Sequence, residues 1–187
     1  MKIILCNDLD ADGKDSYRLL SETLVDMGHE VFVFNAEVNI DTGKRDSERG
    51  GTGRRRLRDP QVAAKLVDEA IERLGIKGMV LDLHWFREDD NSHDYGIRML
   101  GEMARRGELE TIVVWSRFVT GQEHTLVGLG VPLEHIKGKY ICEIGEVTGL
   151  FTSTGDTQGS LHQIVSTRDS NGQPDCLPFV WTISPPR

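Results

Sequence analysis

Long apolar runs are missing from this chain. No stretch approaches the roughly 20 consecutive apolar residues that a membrane-spanning helix needs. The apolar part of Met1-Lys2-Ile3-Ile4-Leu5 is too short for a secretory leader and reads instead as a first strand. A hydrophobic fraction of 38% and a mean hydropathy of −0.35 lead to the expectation of a soluble protein. Cysteine is also scarce. Cys6, Cys142 and Cys176 are odd in number, widely spaced and without a CxxC pattern. That excludes a disulfide framework and suggests reduced thiols in a cytoplasmic protein, with Cys6 and Cys142 packed as small hydrophobes inside strands. Basic charge is in deficit, with 22 Lys and Arg against 30 Asp and Glu, a formal net charge of −8. Phosphate backbones would be repelled, so general nucleic-acid affinity is not expected. His84, His93, His124 and His135 form no i, i+4 pair, which leaves no helical zinc pattern. Gly50-Gly51-Thr52-Gly53 lacks the Lys-Ser/Thr ending of a Walker phosphate loop.

What the chain does contain is an alternation of short apolar runs with helical spacing. Its 187 residues suit one domain with a substantial core. Residues 2–6, 31–34, 78–83 and 111–115 read as buried strands. A fifth strand is expected at about 140–144, or from a little earlier near His135. Between the strands, Tyr17, Leu20, Leu24 and Met27 recur at helical spacing, and Gly28 is well placed to end that helix. Asp59-Pro60 is a helix start, with Asp as cap and Pro in the first turn, and Gly75 a stop. Further helices are expected over 95–106 and around 122–129. This β-α-β-α-β-α-β-α-β order predicts a parallel sheet with helices on both faces, a three-layer α-β-α sandwich.

Two regions interrupt the pattern. Residues 35–60 are polar and glycine-containing, carry Arg54-Arg55-Arg56, and read as an inserted mobile loop suited to an acidic or phosphate-bearing partner. From Glu146 onward no convincing amphipathic helix appears. Residues 161–167 and 177–183 are strand-like around Ser170-Asn171-Gly172, which predicts a hairpin that packs on the core or pairs with another subunit. The expected organisation is therefore a domain over 1–145 and an extension over 146–187.

The placement of polar residues behind the apolar runs carries the chemistry. Asp82 ends Gly78-Met79-Val80-Leu81-Asp82, Asp8 and Asp10 follow the first strand, Ser116 ends Thr111-Ile112-Val113-Val114-Trp115, and Lys137 follows Ile136. In an open α/β sheet, ligands bind beyond the carboxyl ends of the strands. Clustered carboxylates disfavour one another unless a cation neutralises them, and Mg²⁺ suits an all-oxygen set. An aspartate flanked by Mg²⁺, a hydroxyl and an ammonium has what it needs to accept a phosphoryl group.

In the segments 3–12, 78–84, 112–116 and 130–137, and in Gly96 of the run Asp94-Tyr95-Gly96-Ile97, the chain resembles the response-regulator receiver domains of two-component signalling. The resemblance runs from about residue 2 to 144, outside the insert. It implies a flavodoxin-like, doubly wound five-stranded sheet of order 2-1-3-4-5. It also implies Asp82 as phosphoacceptor, Ser116 as the switch hydroxyl and Lys137 as the charge-pairing lysine. The metal ligands for Mg²⁺ would be Asp82, Asp8, Asp10 or Asp12, and the backbone carbonyl of His84. The implied partner is a histidine kinase or phosphotransfer protein, with output through protein contact or a homodimer formed by the C-terminal extension.

The chain departs from the family pattern in several places. The acids after strand one are spread over Asn7-Asp8-Leu9-Asp10-Ala11-Asp12. Lys137 is followed by Gly138, and Lys139 competes for its role. Glu134 stands where an aromatic residue is usual, and a fifth helix is not found. A receiver fold acting without phosphorylation is the alternative. Asn7-to-Gly13 is also similar to the DxD loop of haloacid-dehalogenase-type phosphatases, and Met1-to-Asp8 with Gly28-to-Val31 to stationary-phase survival nucleotidases. Either would make the chain a metal-dependent phosphohydrolase using Asp8 and Asp10.

Overall fold

Alternation along the first strand divides the molecule into layers. Successive side chains of a strand point to opposite faces. In β1 (Lys2–Cys6), Ile3 and Leu5 accordingly join one buried cluster, and Ile4 and Cys6 the other. The first face is covered by α1 (Lys14–Asp26), through Tyr17, Leu20 and Leu24. The second is covered by α2 (Pro60–Leu74) and α3 (Tyr95–Glu102), through Ala63, Val67, Ile71, Met99 and Leu100. The computed structural model describes residues 1–7, 14–34, 37–39, 55–57, 59–85, 94–152, 158–168 and 174–183. Among these, no helix is long and apolar enough to cross a membrane.

The remaining strands are β2 (Glu30–Phe34), β3 (Glu37–Asn39), β4 (Arg55–Leu57), β5 (Gly78–Leu81), β6 (Thr111–Ser116), β7 (Ile136–Gly138), β8 (Ser160–Arg168) and β9 (Pro174–Ile183). The main sheet has the order β7-β6-β5-β1-β2-β8-β9. Every neighbouring pair in it is parallel except β8 and β9. The chain is thus α/β with a parallel sheet, but its count and order go beyond the expected five strands. The C-terminal hairpin does not sit apart from the sheet. β8 runs parallel to β2, with Val31 opposite Leu161 and Phe34 opposite Ile164. It is fixed at its start by a bond from the Ser160 N–H to the His29 carbonyl (3.1 Å).

Caps set the helix limits. The Asp59 carboxylate accepts the Gln61 N–H at 2.9 Å, Pro60 opens α2, and Gly75 closes it in the left-handed region at φ 67°. Between α3 and β6, the Asp68 carboxylate accepts the N–H groups of Ala104 (2.8 Å) and Arg105 (2.9 Å). This pins the connection to α2 and stops α3 earlier than its apolar spacing suggests.

Four further expectations are corrected. The ends of the insert pair as an antiparallel ribbon, β3 with β4, while residues 40–54 lie outside the described residues. Strand five is β7, which takes the earlier of the two expected starts, next to His135, and ends before residue 140. Residues 140–142 instead form a turn on Gly138, with Tyr140 and Ile141 exposed. Cys142 consequently sits in that turn and not in a strand, whereas Cys6 is buried in β1 as expected. A short helix α5 (Ile144–Thr148) does exist after β7, held by a capping box between Glu143 and Glu146, and it buries Val147 on the α1 face. A helix of one turn shows no periodicity in sequence. The helix expected near 122–129 is α4 (Glu123–Gly128).

Candidate functional site

Asp82 lies one residue beyond β5, and its N–H still bonds the Cys6 carbonyl of β1 at 3.0 Å. The parallel ladder therefore carries it to the carboxyl edge at the middle of the sheet. It is buried, with a side chain 8% exposed. Its Oδ1 accepts the Ser116 hydroxyl at 2.6 Å and the His84 N–H at 3.2 Å. Ser116 is the last residue of β6, and its Oγ also accepts the Phe118 N–H at 3.4 Å. The hydroxyl proton is thereby directed at the carboxylate.

The ammonium beside Asp82 belongs to Lys139. Its Nζ is 4.0 Å from Oδ2, and its side chain is 6% exposed. Ser116 pairs with Gly138 in the β6–β7 register, and the Lys139 N–H bonds the Ser116 carbonyl at 2.9 Å. Lys139 therefore lies level with the end of the strand. Lys137 is opposite Trp115, inside the strand. Alternation gives Lys137 and Lys139 the same face, but two residues advance the chain by about 6.6 Å, and Lys139 is the one at the carboxyl edge. Lys137 instead lies near Cys142, whose thiol is pushed up by burial and by Glu146, an effect that Lys137 partly offsets.

The loop after Asp82 is held at its backbone. The Trp85 indole N–H donates to the Asp82 carbonyl at 2.7 Å, and its ring stacks on Tyr95 at 4.8 Å. The Gly96 N–H bonds the Leu83 carbonyl at 3.0 Å, and a Cβ at Gly96 would collide with the Asp82 carbonyl oxygen. The His84 ring packs against Phe118 at 4.7 Å. The Lys139 ammonium sits over the rings of Tyr17 (4.6 Å) and Trp115 (5.4 Å).

Attraction and desolvation oppose each other in this pair. Opposite charges 4 Å apart attract by on the order of 4 kcal/mol at an effective dielectric of 20. Desolvating each ion costs several kcal/mol. The Ser116 and His84 hydrogen bonds and the two aromatic faces work against that cost. Such an arrangement keeps a charged carboxylate at a fixed place more than it stabilises the fold.

The structure thus brings together Asp82, Ser116, the His84 backbone and Lys139, and leaves Lys137 out. Asp8, Asp10 and Asp12 lie outside the described residues. The chain leaves β1 at Asn7, which is buried and bonds the Phe34 carbonyl at 3.4 Å. Among the described residues, no group of three or more His, Cys, Asp or Glu side chains gathers to hold a metal. Of the ligands that the resemblance implies for Mg²⁺, the Asp82 carboxylate and the His84 carbonyl are among the described residues; both are oxygen donors of the kind Mg²⁺ takes. Sequence reading missed the role of Tyr17, which shares the helical spacing of Leu20 and Leu24 and so read only as core. No family model, curated protein or solved structure matches the chain.

Proposed function

We propose that the chain is an atypical receiver that accepts a phosphoryl group on Asp82 and signals through protein contact. The observation that carries this reading is the buried Asp82 carboxylate at the edge of a central parallel strand, with a hydroxyl at 2.6 Å and an ammonium at 4.0 Å. Within the larger sheet, β2-β1-β5-β6-β7 gives the order 2-1-3-4-5 for the first five parallel strands, which supports a flavodoxin-like class.

In the proposed step, a carboxylate oxygen of Asp82 attacks the phosphorus of a phosphohistidine on a kinase or phosphotransfer protein. The O–P bond forms as the P–N bond breaks, and the leaving imidazole keeps the electron pair and takes a proton from solvent. Ser116 then donates its hydroxyl proton to a phosphoryl oxygen, and Lys139 balances the added charge. Asp82 with Asp8, Asp10 and the His84 carbonyl would hold Mg²⁺, which would supply further neutralisation of the phosphoryl oxygens. Tyr140 and Ile141, 73% and 89% exposed, directly follow Lys139 and offer an apolar surface for output. The edge strand β9 is the route for the proposed homodimer.

One observation favours a second reading, a receiver-like interaction module that works without phosphate. Oδ1 of Asp82 already has two donors, and Oδ2 already has a cation beside it. Calorimetric titration with beryllofluoride in Mg²⁺ separates the two. Binding by the natural chain that disappears in Asp82→Asn is expected. No binding by either protein would remove the phosphoacceptor reading and leave the second.

A further inference from the structure

Lys139 carries its charge where water scarcely reaches it, with a side chain 6% exposed. Burying a cation is costly unless its charge is answered. The 4.0 Å to Asp82 Oδ2 is beyond hydrogen-bond length, so the carboxylate alone does not hold the ammonium. Two ring faces contribute: the centroids of Tyr17 and Trp115 lie 4.6 and 5.4 Å from Nζ, inside the ~6 Å reach over which a ring quadrupole attracts a cation. The two rings brace each other, with centroids 5.2 Å apart and planes at 49°. The Tyr17 hydroxyl donates to the Trp115 carbonyl at 3.0 Å, which fastens a helix side chain to the strand that ends in Ser116.

We infer that Tyr17 is a positioning residue. With Trp115 it forms an aromatic seat that holds the Lys139 ammonium beside Asp82 before any phosphoryl group arrives. The use of the seat rests on the phosphoacceptor reading; its existence does not. A phosphorylated Asp82 would present a stronger acceptor than the carboxylate. The ammonium would then turn from the rings to a phosphoryl oxygen, a short displacement with its charge kept out of water throughout. Tyr17 acts through Lys139 and touches no reacting atom.

The experiment follows the Lys139 ammonium in the full chain labelled with ¹⁵N-lysine, its signal assigned by its loss in Lys139→Arg. Hydrogen exchange of that ammonium is measured in the natural chain, Tyr17→Phe, Tyr17→Leu, and chains carrying mono-, di- and pentafluorinated phenylalanine at position 17. Fluorination drains the ring face while keeping its volume, so this series decides the matter should Tyr17→Leu fail to fold. Slow exchange in the natural chain and in Tyr17→Phe is expected, rising about tenfold in Tyr17→Leu and stepwise with fluorination. Beryllofluoride affinity in Mg²⁺ should fall in parallel in Tyr17→Leu, with no further loss when Tyr17→Leu is added to Lys139→Met. Exchange that ignores position 17 overturns the seat, as does an affinity loss that persists on the Lys139→Met background. Absence of beryllofluoride binding to the natural chain removes the phosphoacceptor reading instead, and the exchange series still decides the seat.

Discussion

At the carboxyl end of the parallel strands a carboxylate and an ammonium are buried together, whereas at the amino end an imidazole, His29, is fully buried. Burial, and then the nearby N-terminal ammonium, push the His29 pKa down, with a hydrogen bond to Met1 acting weakly the other way. Its Nδ1 lies 3.3 Å from the Met1 nitrogen, its ring meets Phe151 edge-on, and its Nε2 has no hydrogen-bond partner among the described residues. One end surrounds a carboxylate and an ammonium with partners, and at the other burial works against the charged form. The contrast shows where the fold has invested polar contacts. Ser116, Lys139, the His84 N–H, Trp85 and Gly96 all converge on Asp82 or its backbone, a concentration that packing alone does not require.

The comparison is broken most severely at the charged end. Lys139→Met leaves Asp82 buried without its cation, and losing one partner of a buried pair costs about 3 kcal/mol. Urea denaturation should record that loss, and adding Asp82→Asn should recover most of it. A double variant no more stable than the single one would mean that the ammonium serves some other group. Smaller effects come from two glycines, one at each end. An added methyl at Gly96 collides with the Asp82 carbonyl oxygen and approaches Leu83 Cα to 2.8 Å; at Gly159 it collides with the Val25 carbonyl oxygen and comes within 2.6 Å of that of His29. Each alanine should cost about 1–3 kcal/mol of stability. Gly96→Ala alone should also weaken beryllofluoride binding, because it displaces the backbone that carries Asp82.

The uncharged end is sharpened by pH. His29 has a folded pKa below its ordinary value of 6.5. Between the two, the unfolded chain binds a proton that the folded chain refuses, so stability falls as pH drops from neutrality through that window. The slope contributed by one such group is at most about 1.4 kcal/mol per pH unit. Replacing His29 by Gln removes this contribution, and urea midpoints at pH 7.5 and 5.5 should lie closer together in the variant than in the natural chain. An unchanged difference would mean that His29 titrates normally when folded.

Some of this arrangement was legible in the residues and some was not, for physical reasons. Asp82 and Ser116 stand directly behind apolar runs long enough to fix where their strands end, and the helix limits at Asp59, Pro60 and Gly75 follow from capping chemistry. β8 could be read as a strand, but nothing in its alternation says that it pairs with β2. The aromatic role of Tyr17 was hidden because the same spacing serves a plain core residue. A metal-binding role for Asp8, Asp10 or Asp12 is an expectation from sequence alone, since these residues fall outside the described ones.

The smallest expected effect tests the lysine assignment. β7 has three residues on the sheet edge, and so short a strand does not reveal its register in sequence; a slip of two residues preserves the face and moves the ammonium by about 6.6 Å. The family resemblance points to Lys137, the geometry to Lys139. Lys137 is half-buried and opposite Trp115, near Cys142. Lys137→Ala should therefore change stability by no more than about 0.5 kcal/mol, as substitutions away from a buried network do. It should leave beryllofluoride affinity unaltered, and it should raise the Cys142 thiol pKa slightly, read by the pH dependence of thiol alkylation. Should Lys137→Ala abolish beryllofluoride binding while Lys139→Ala does not, β7 must shift by two residues when the phosphate mimic binds, and the pairing seen here would belong to the unliganded protein alone.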